Sequence, residues 1–117
     1  MAKIDVPSFN IAIYGGKVCV VDSLKKFNKI CRKIGAAEAD ESYAGAFTGD
    51  EQGSYMIGIF CPDREDVLVH ECAHMAFDVL ERAGIDPREG VNEAFCYLIA
   101  YLYNETKKLL PQNTQAV

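Results

Sequence analysis

The chain has 117 residues and a formal charge of −5 from 17 acidic and 12 basic side chains; 50% of its residues are hydrophobic and 25% charged. That length holds one domain with one substantial core, and the composition excludes a disordered or fibrous protein. The acidic balance offers no basic stripe to a nucleic-acid backbone or an anionic membrane, so neither is an expected partner.

The first predicted element is a β-hairpin. Phe9–Tyr14 and Lys17–Val21 are rich in β-formers and flank Gly15-Gly16, a two-residue turn that tolerates positive φ. Asp22 or Ser23 then caps an amphipathic helix in which Leu24, Phe27, Ile30 and Ile34 recur at helical spacing and Lys25, Lys26, Lys29, Arg32 and Lys33 take the other face; Gly35 ends it. A second hairpin follows, with strands Tyr43–Thr48 and Ser54–Phe60 around the polar loop Gly49–Gly53. Asp63 and Asp66 can cap a helix running to about Ala83, where Gly84 stops it. Asp86-Pro87-Arg88-Glu89 places a cap residue, a first-position proline and a third-position glutamate, so the last helix is predicted from Pro87 to near Leu110. Pro111–Val117 reads as a flexible tail, which leaves a single domain over residues 1–110. The expected architecture is α+β: a small antiparallel sheet of two hairpins packed with three helices.

Five cysteines form an odd set without a CxxC pair, and Met1–Asp5 lacks the apolar run of a signal peptide. The expectation is free thiols in a reducing cytoplasm. The longest apolar run, Ala94–Tyr103, is about half of what a bilayer crossing needs, so it is expected as a core helix.

The second predicted helix carries His70-Glu71-Cys72-Ala73-His74, an HExxH sequence. Four residues advance a helix by about 400°, so the two imidazoles lie about 40° apart and one turn apart in height, within reach of one metal ion. Glu71 lies about 100° from His70, beside such a metal, where a general base for its water belongs. The chain has only two histidines, and random placement puts two residues at this spacing roughly 2% of the time, so the match is specific.

A catalytic zinc takes a third protein ligand and keeps a fourth position open. With no histidine left, carboxylates and thiolates remain. Glu93, early in the last predicted helix, can approach the histidines if the two helices pair antiparallel, to within about one turn. It also leads into the apolar run, where an unpaired carboxylate is costly. Cys61, Cys72 and Cys96 are the thiolate alternatives, and plain buried thiols the simpler role for each.

His70-Glu71-Cys72-Ala73-His74 followed by Asn92-Glu93-Ala94 resembles the gluzincin class of zinc metallopeptidases, over about a third of the chain from Val67 to Leu102. In its shortness the chain is similar to the minimal zincin-like proteins of phage genomes and to minigluzincins. The resemblance implies Zn2+ at His70, His74 and Glu93, with Glu71 activating water to attack a peptide carbonyl in a peptide or protein substrate. It implies the host cytoplasm as the location if the chain is phage-encoded. Many gluzincins carry an aspartate four residues after the ligand glutamate; Tyr97 stands there instead, and Asp78 is either an imidazole acceptor or a surface charge. Tyr97 and Tyr101 are candidates for stabilising the oxyanion, although core packing accounts for them equally. A cysteine ligand would make the site similar to that of peptide deformylases, whose other motifs are missing. Strand Ser54–Phe60 is expected to form the edge on which a substrate segment pairs. The alternative to a hydrolase is a metal-stabilised structural or interaction protein that keeps the site without turnover. Substrate identity and oligomeric state are not set by these residues.

Overall fold

A computed structural model of the chain describes residues 6–61, 63–88, 90 and 92–111. The order of elements is β1 (Ser8–Asn10), β2 (Lys17–Val21), α1 (Leu24–Ile34), β3 (Gly45–Gly49), β4 (Ser54–Ile59), α2 (Glu65–Arg82) and α3 (Glu93–Leu109). The expected tail beyond Pro111 lies outside the described residues.

Both hairpins form: β1 pairs antiparallel with β2, and β3 with β4. The first is shorter than expected, because the chain leaves the ladder after Asn10 and turns through Ile13, Gly15 and Gly16, all at positive φ. Between the hairpins, however, β2 and β4 run parallel, from Lys17 opposite Ser54 to Val21 opposite Gly58. The sheet is therefore mixed, in the order β1-β2-β4-β3, and not the antiparallel sheet that two hairpins suggest. The cause is the connection: the chain crosses one face of the sheet through α1 and enters the far edge as β3, so β4 returns in the direction of β2. This order also overturns the expected edge at Ser54–Phe60. β4 is paired on both sides and buried from Tyr55 to Ile59, as an interior strand must be; β3 is the edge.

Helix α1 is held as its sequence dictates. Ser23 Oγ accepts from Lys26 N–H at 3.0 Å, and Gly35 in the left-handed region closes the other end on the Cys31 carbonyl. Its buried Phe27, Ile30 and Cys31 meet Val21 and Met56 in a small core on one face of the sheet. The larger core lies on the other face, where Val18, Val20, Tyr55, Ile57 and Ile59 meet Leu68, Cys72, Met75, Val79 and Leu80 of α2 and Leu98 and Leu102 of α3. Among the described residues no helix is long and apolar enough to cross a membrane.

Helix α3 starts six residues after the expected Pro87. Asp86 spends its carboxylate on a local turn, accepting from Arg88 N–H at 2.9 Å and pairing with the Arg88 guanidinium. Gly90 and Asn92 then take φ of 66° and 50°, which no continuing right-handed helix tolerates, and Glu93 is the first helical residue. Glu89 lies outside the described residues.

Candidate metal centre

Helix α2 lies against β3, and its residues there include all three polar members of the His-Glu-His sequence. The Nε2 atoms of His70 and His74 stand 3.2 Å apart, with ring centroids at 4.8 Å and planes at 78°. Two nitrogens bound at ~2.0–2.1 Å to a tetrahedral zinc stand ~3.3 Å apart, so the pair is already at the bite distance of one ion. The same separation serves a hydrogen bond between neutral rings. Both rings are exposed to solvent, and a neutral imidazole is the ligand form.

Glu71 is 8% exposed. Burial raises its carboxyl above the usual range, and the charges of His70 and His74 pull it partly back. Its position depends on a missing side chain. A Cβ at Gly45 would stand 2.6 Å from Val67 Cγ1 and 3.2 Å from Glu71 Cγ, so glycine is what lets β3 approach α2 this closely.

A hollow of about 430 Å³ opens between edge strand and helix, walled by Tyr43, Ala46 and Phe47 and floored by His70, Glu71 and His74. A second, of about 260 Å³, shares Tyr43, His70 and Glu71 and extends toward Arg64 and Asp66. Together they form a cleft along β3 with Glu71 at its middle. A larger hollow of about 490 Å³ at the far end of α2 contains neither histidine.

The expected third ligand is not in place. Among the described residues no three His, Cys, Asp or Glu side chains gather closely enough to hold a metal. Glu93 is exposed at the first position of α3. The antiparallel register that sets Phe95 against Phe77 puts Glu93 level with about Val79, roughly five residues or ~7.5 Å of rise beyond His74. The late start of α3 causes this offset, since the expected pairing counted six helical residues before Glu93.

The cysteines do not supply the ligand either. Cys72 is fully buried, and burial pushes its thiol up to about 12, with the Thr106 hydroxyl lowering it only in part. Cys96 is exposed on α3, its Sγ 3.7 Å from Asn92 Oδ1, and Cys61 is half-buried ahead of α2. Every one of the five is a free thiol. Asp78 lines a different hollow, with Gly49, Tyr55 and Arg82.

The two tyrosines of α3 have separate fates. Tyr101 is a structural tie: its hydroxyl donates to the Asn10 carbonyl at 2.8 Å and accepts from Ala12 N–H at 3.2 Å. Tyr97 is 73% exposed and lies outside the cleft walls, so neither core packing nor the cleft accounts for it. The tyrosine beside the histidines is Tyr43, 55% exposed, which sequence reasoning used only as a strand former. The available signal was its place in the hairpin that leads directly into the histidine helix.

No family profile, characterised protein or solved structure matches this chain.

Proposed function

We propose that the chain is a zinc-dependent hydrolase of the small gluzincin type that cleaves peptide bonds. The observation that carries this reading is the 3.2 Å approach of the two Nε2 atoms beside a buried glutamate, on the floor of a cleft bounded by an edge strand. His70 and His74 would hold the ion, and Glu93 is the proposed third ligand, which the first turn of α3 must shift to deliver. Zinc held there supplies Lewis acidity and makes a water acidic enough to ionise near neutral pH.

The chain's own residues do the rest. Glu71, with its raised carboxyl, accepts the proton of the attacking water and returns it to the departing amine nitrogen. Tyr43 lines the same cleft and would donate its O–H to the oxygen on which negative charge develops, the role for which Tyr97 and Tyr101 are the candidates in the sequence. The unpaired side of β3 gives an extended substrate segment a strand to join, which transfers the docking role from β4 to β3.

The alternative is a metal-stabilised interaction protein that keeps the site without turnover, which would need the site closed by four protein donors; among the described residues only the two histidines stand together. Glu71→Gln separates the two. Under the hydrolase reading it keeps about one zinc per chain, as wild type does, while peptide cleavage falls by roughly 10²–10⁴-fold. Retained cleavage, or wild-type protein that takes up no supplied zinc, would refute the hydrolase.

A further inference from the structure

The crevice between β3 and α2 does not end at His74. A Cβ at Gly49 would stand 3.1 Å from Asp78 Oδ2, as one at Gly45 would stand 3.2 Å from Glu71 Cγ, so both glycines face α2 from the same side of the strand. Asp78 follows His74 by one helical turn. Phe47, which walls the histidine hollow, stacks at 5.9 Å on Tyr55, which walls the next one. That next hollow, of about 410 Å³, is lined by four carboxylates, those of Asp50, Glu51, Asp78 and Glu81, and by the guanidinium of Arg82. The two hollows thus succeed one another along a single edge strand and a single helix.

Charge along this crevice is uneven. At its start Arg64 pairs with Asp66 at 2.6 Å, and the two cancel. At its far end four carboxylates stand against one guanidinium, which is committed to the Tyr55 hydroxyl and the carbonyls of Tyr14 and Gly15. Among the described residues Asp50 accepts only backbone N–H groups of its own turn, and Glu51, Asp78 and Glu81 pair with no cation. The carboxylates are not alone in lacking a partner. One side of β3 is unpaired, and Glu71, more than nine-tenths buried, lines the same crevice with no hydrogen-bond partner among the described residues. An incoming extended chain would complete both. Its spacing also fits: from His74 to Asp78 the helix rises ~6 Å, and two residues of strand cover ~6.6 Å. In a segment paired with β3, side chains two apart point to the same face, so the one two residues beyond that at His74 meets the carboxylates.

We propose that this crevice selects an extended peptide with a lysine or arginine side chain seated at Asp78 and Glu81, two residues from the one at the histidines. This selectivity rests on the peptide-hydrolase reading of the cleft and deepens it to a substrate class, basic peptides. Fluorescence anisotropy of zinc-supplied Glu71→Gln protein, which does not consume the probe, measures binding of a labelled Ala/Thr peptide of about nine residues with a central lysine, and of its glutamine and glutamate counterparts. The lysine peptide is expected to bind at least about tenfold more tightly than the glutamate peptide, with glutamine between them, and the spread should shrink in ~0.5 M salt. Adding Asp78→Asn and Glu81→Gln, which keep side-chain size, should bring the three affinities to within about twofold without changing the melting temperature. Equal affinities, no binding, or an undiminished preference in the doubly substituted protein overturns the selectivity. Cleavage of the same peptides by wild type is read in parallel. Lysine preference in binding without any cleavage refutes turnover and supports the selectivity, whereas cleavage indifferent to the central residue overturns the selectivity alone.

Discussion

Replacing Arg82 with alanine tests how the sheet, the first loop and the histidine helix are joined. Its Nε donates to Tyr55 Oη at 2.9 Å, and its Nη2 to the carbonyls of Gly15 at 2.7 Å and Tyr14 at 3.3 Å. The guanidinium also stands 5.8 Å over the Tyr55 ring. The three bonds are unequal in value. Water can replace the arginine at the two loop carbonyls, so each contributes only about 0.5 kcal/mol. Tyr55 is 3% exposed, and a buried hydroxyl left without its partner costs about 1–2 kcal/mol. Adding the packing of the arginine stem, the loss comes to about 2–3 kcal/mol, or a fall in Tm of roughly 8–12 °C for a domain of this size. Urea unfolding of Arg82→Ala, Tyr55→Phe and the double variant isolates the pair, with an expected coupling of about 1 kcal/mol. Arg82→Lys should recover less than half of the loss, because one ammonium cannot span hydroxyl and carbonyls together. A loss below about 0.5 kcal/mol, or additive single variants, would show that the arginine merely decorates the surface.

Three further outcomes follow from the geometry. Gly45→Ala forces a methyl into Val67 and Glu71; a stability loss of about 1–3 kcal/mol in chemical unfolding is expected, and any peptide cleavage should fall further than the lost stability explains. Iodoacetamide on native protein should label Cys96 and leave Cys72 unmodified until the chain unfolds, read by peptide mass; rapid native labelling of Cys72 would contradict its burial and raised pKa. Glu65 accepts from Lys107 and Tyr103, which lowers its carboxyl below the ordinary 4.5 and raises the lysine above 10.5. The glutamate's contribution is therefore complete above about pH 5 and lost as pH falls through its lowered pKa, while the lysine's is lost only as pH rises through its raised one. Thermal melts of wild type and Glu65→Gln should accordingly differ by a constant amount near neutrality and converge on acidification; a gap that persists in acid would assign the effect to packing.

Features that depend on a few adjacent residues were legible in the sequence. Helix α1 is announced by Leu24, Phe27 and Ile30 against five basic residues and bounded by Ser23 and Gly35, and each of those signals acts within one or two turns. The two hairpins are local in the same way. The parallel pairing of β2 with β4 is not, because it depends on where a helix-containing connection lands after crossing the sheet, and no residue of either strand encodes that. The start of α3 failed for a different reason. Asp86, Pro87 and Arg88 are good helix-start residues, yet they are equally good turn residues, and the left-handed Gly90 and Asn92 decided between the two.

The site divides along the same line. The approach of His70 to His74 follows from four residues of helix and nothing else, so the sequence was enough to place both rings. Where Glu93, a tyrosine and the edge strand stand depends on tertiary placement: the expected edge moves from β4 to β3, the tyrosine at the cleft is Tyr43, and Glu93 sits exposed at the start of α3. These placements have a common cause. Because β4 returns parallel to β2, it takes the interior position and leaves β3 outside; α2, which follows β4 after a short connection, then lies back over β3 and β4. The crossover that periodicity could not reveal is thus what brings His70, Glu71 and His74 to an open strand edge. Had the two hairpins joined through β1 and β3 instead, the order β2-β1-β3-β4 would have paired β3 on both sides and left β4 as the edge beside the helix, which is the edge that two successive hairpins suggest.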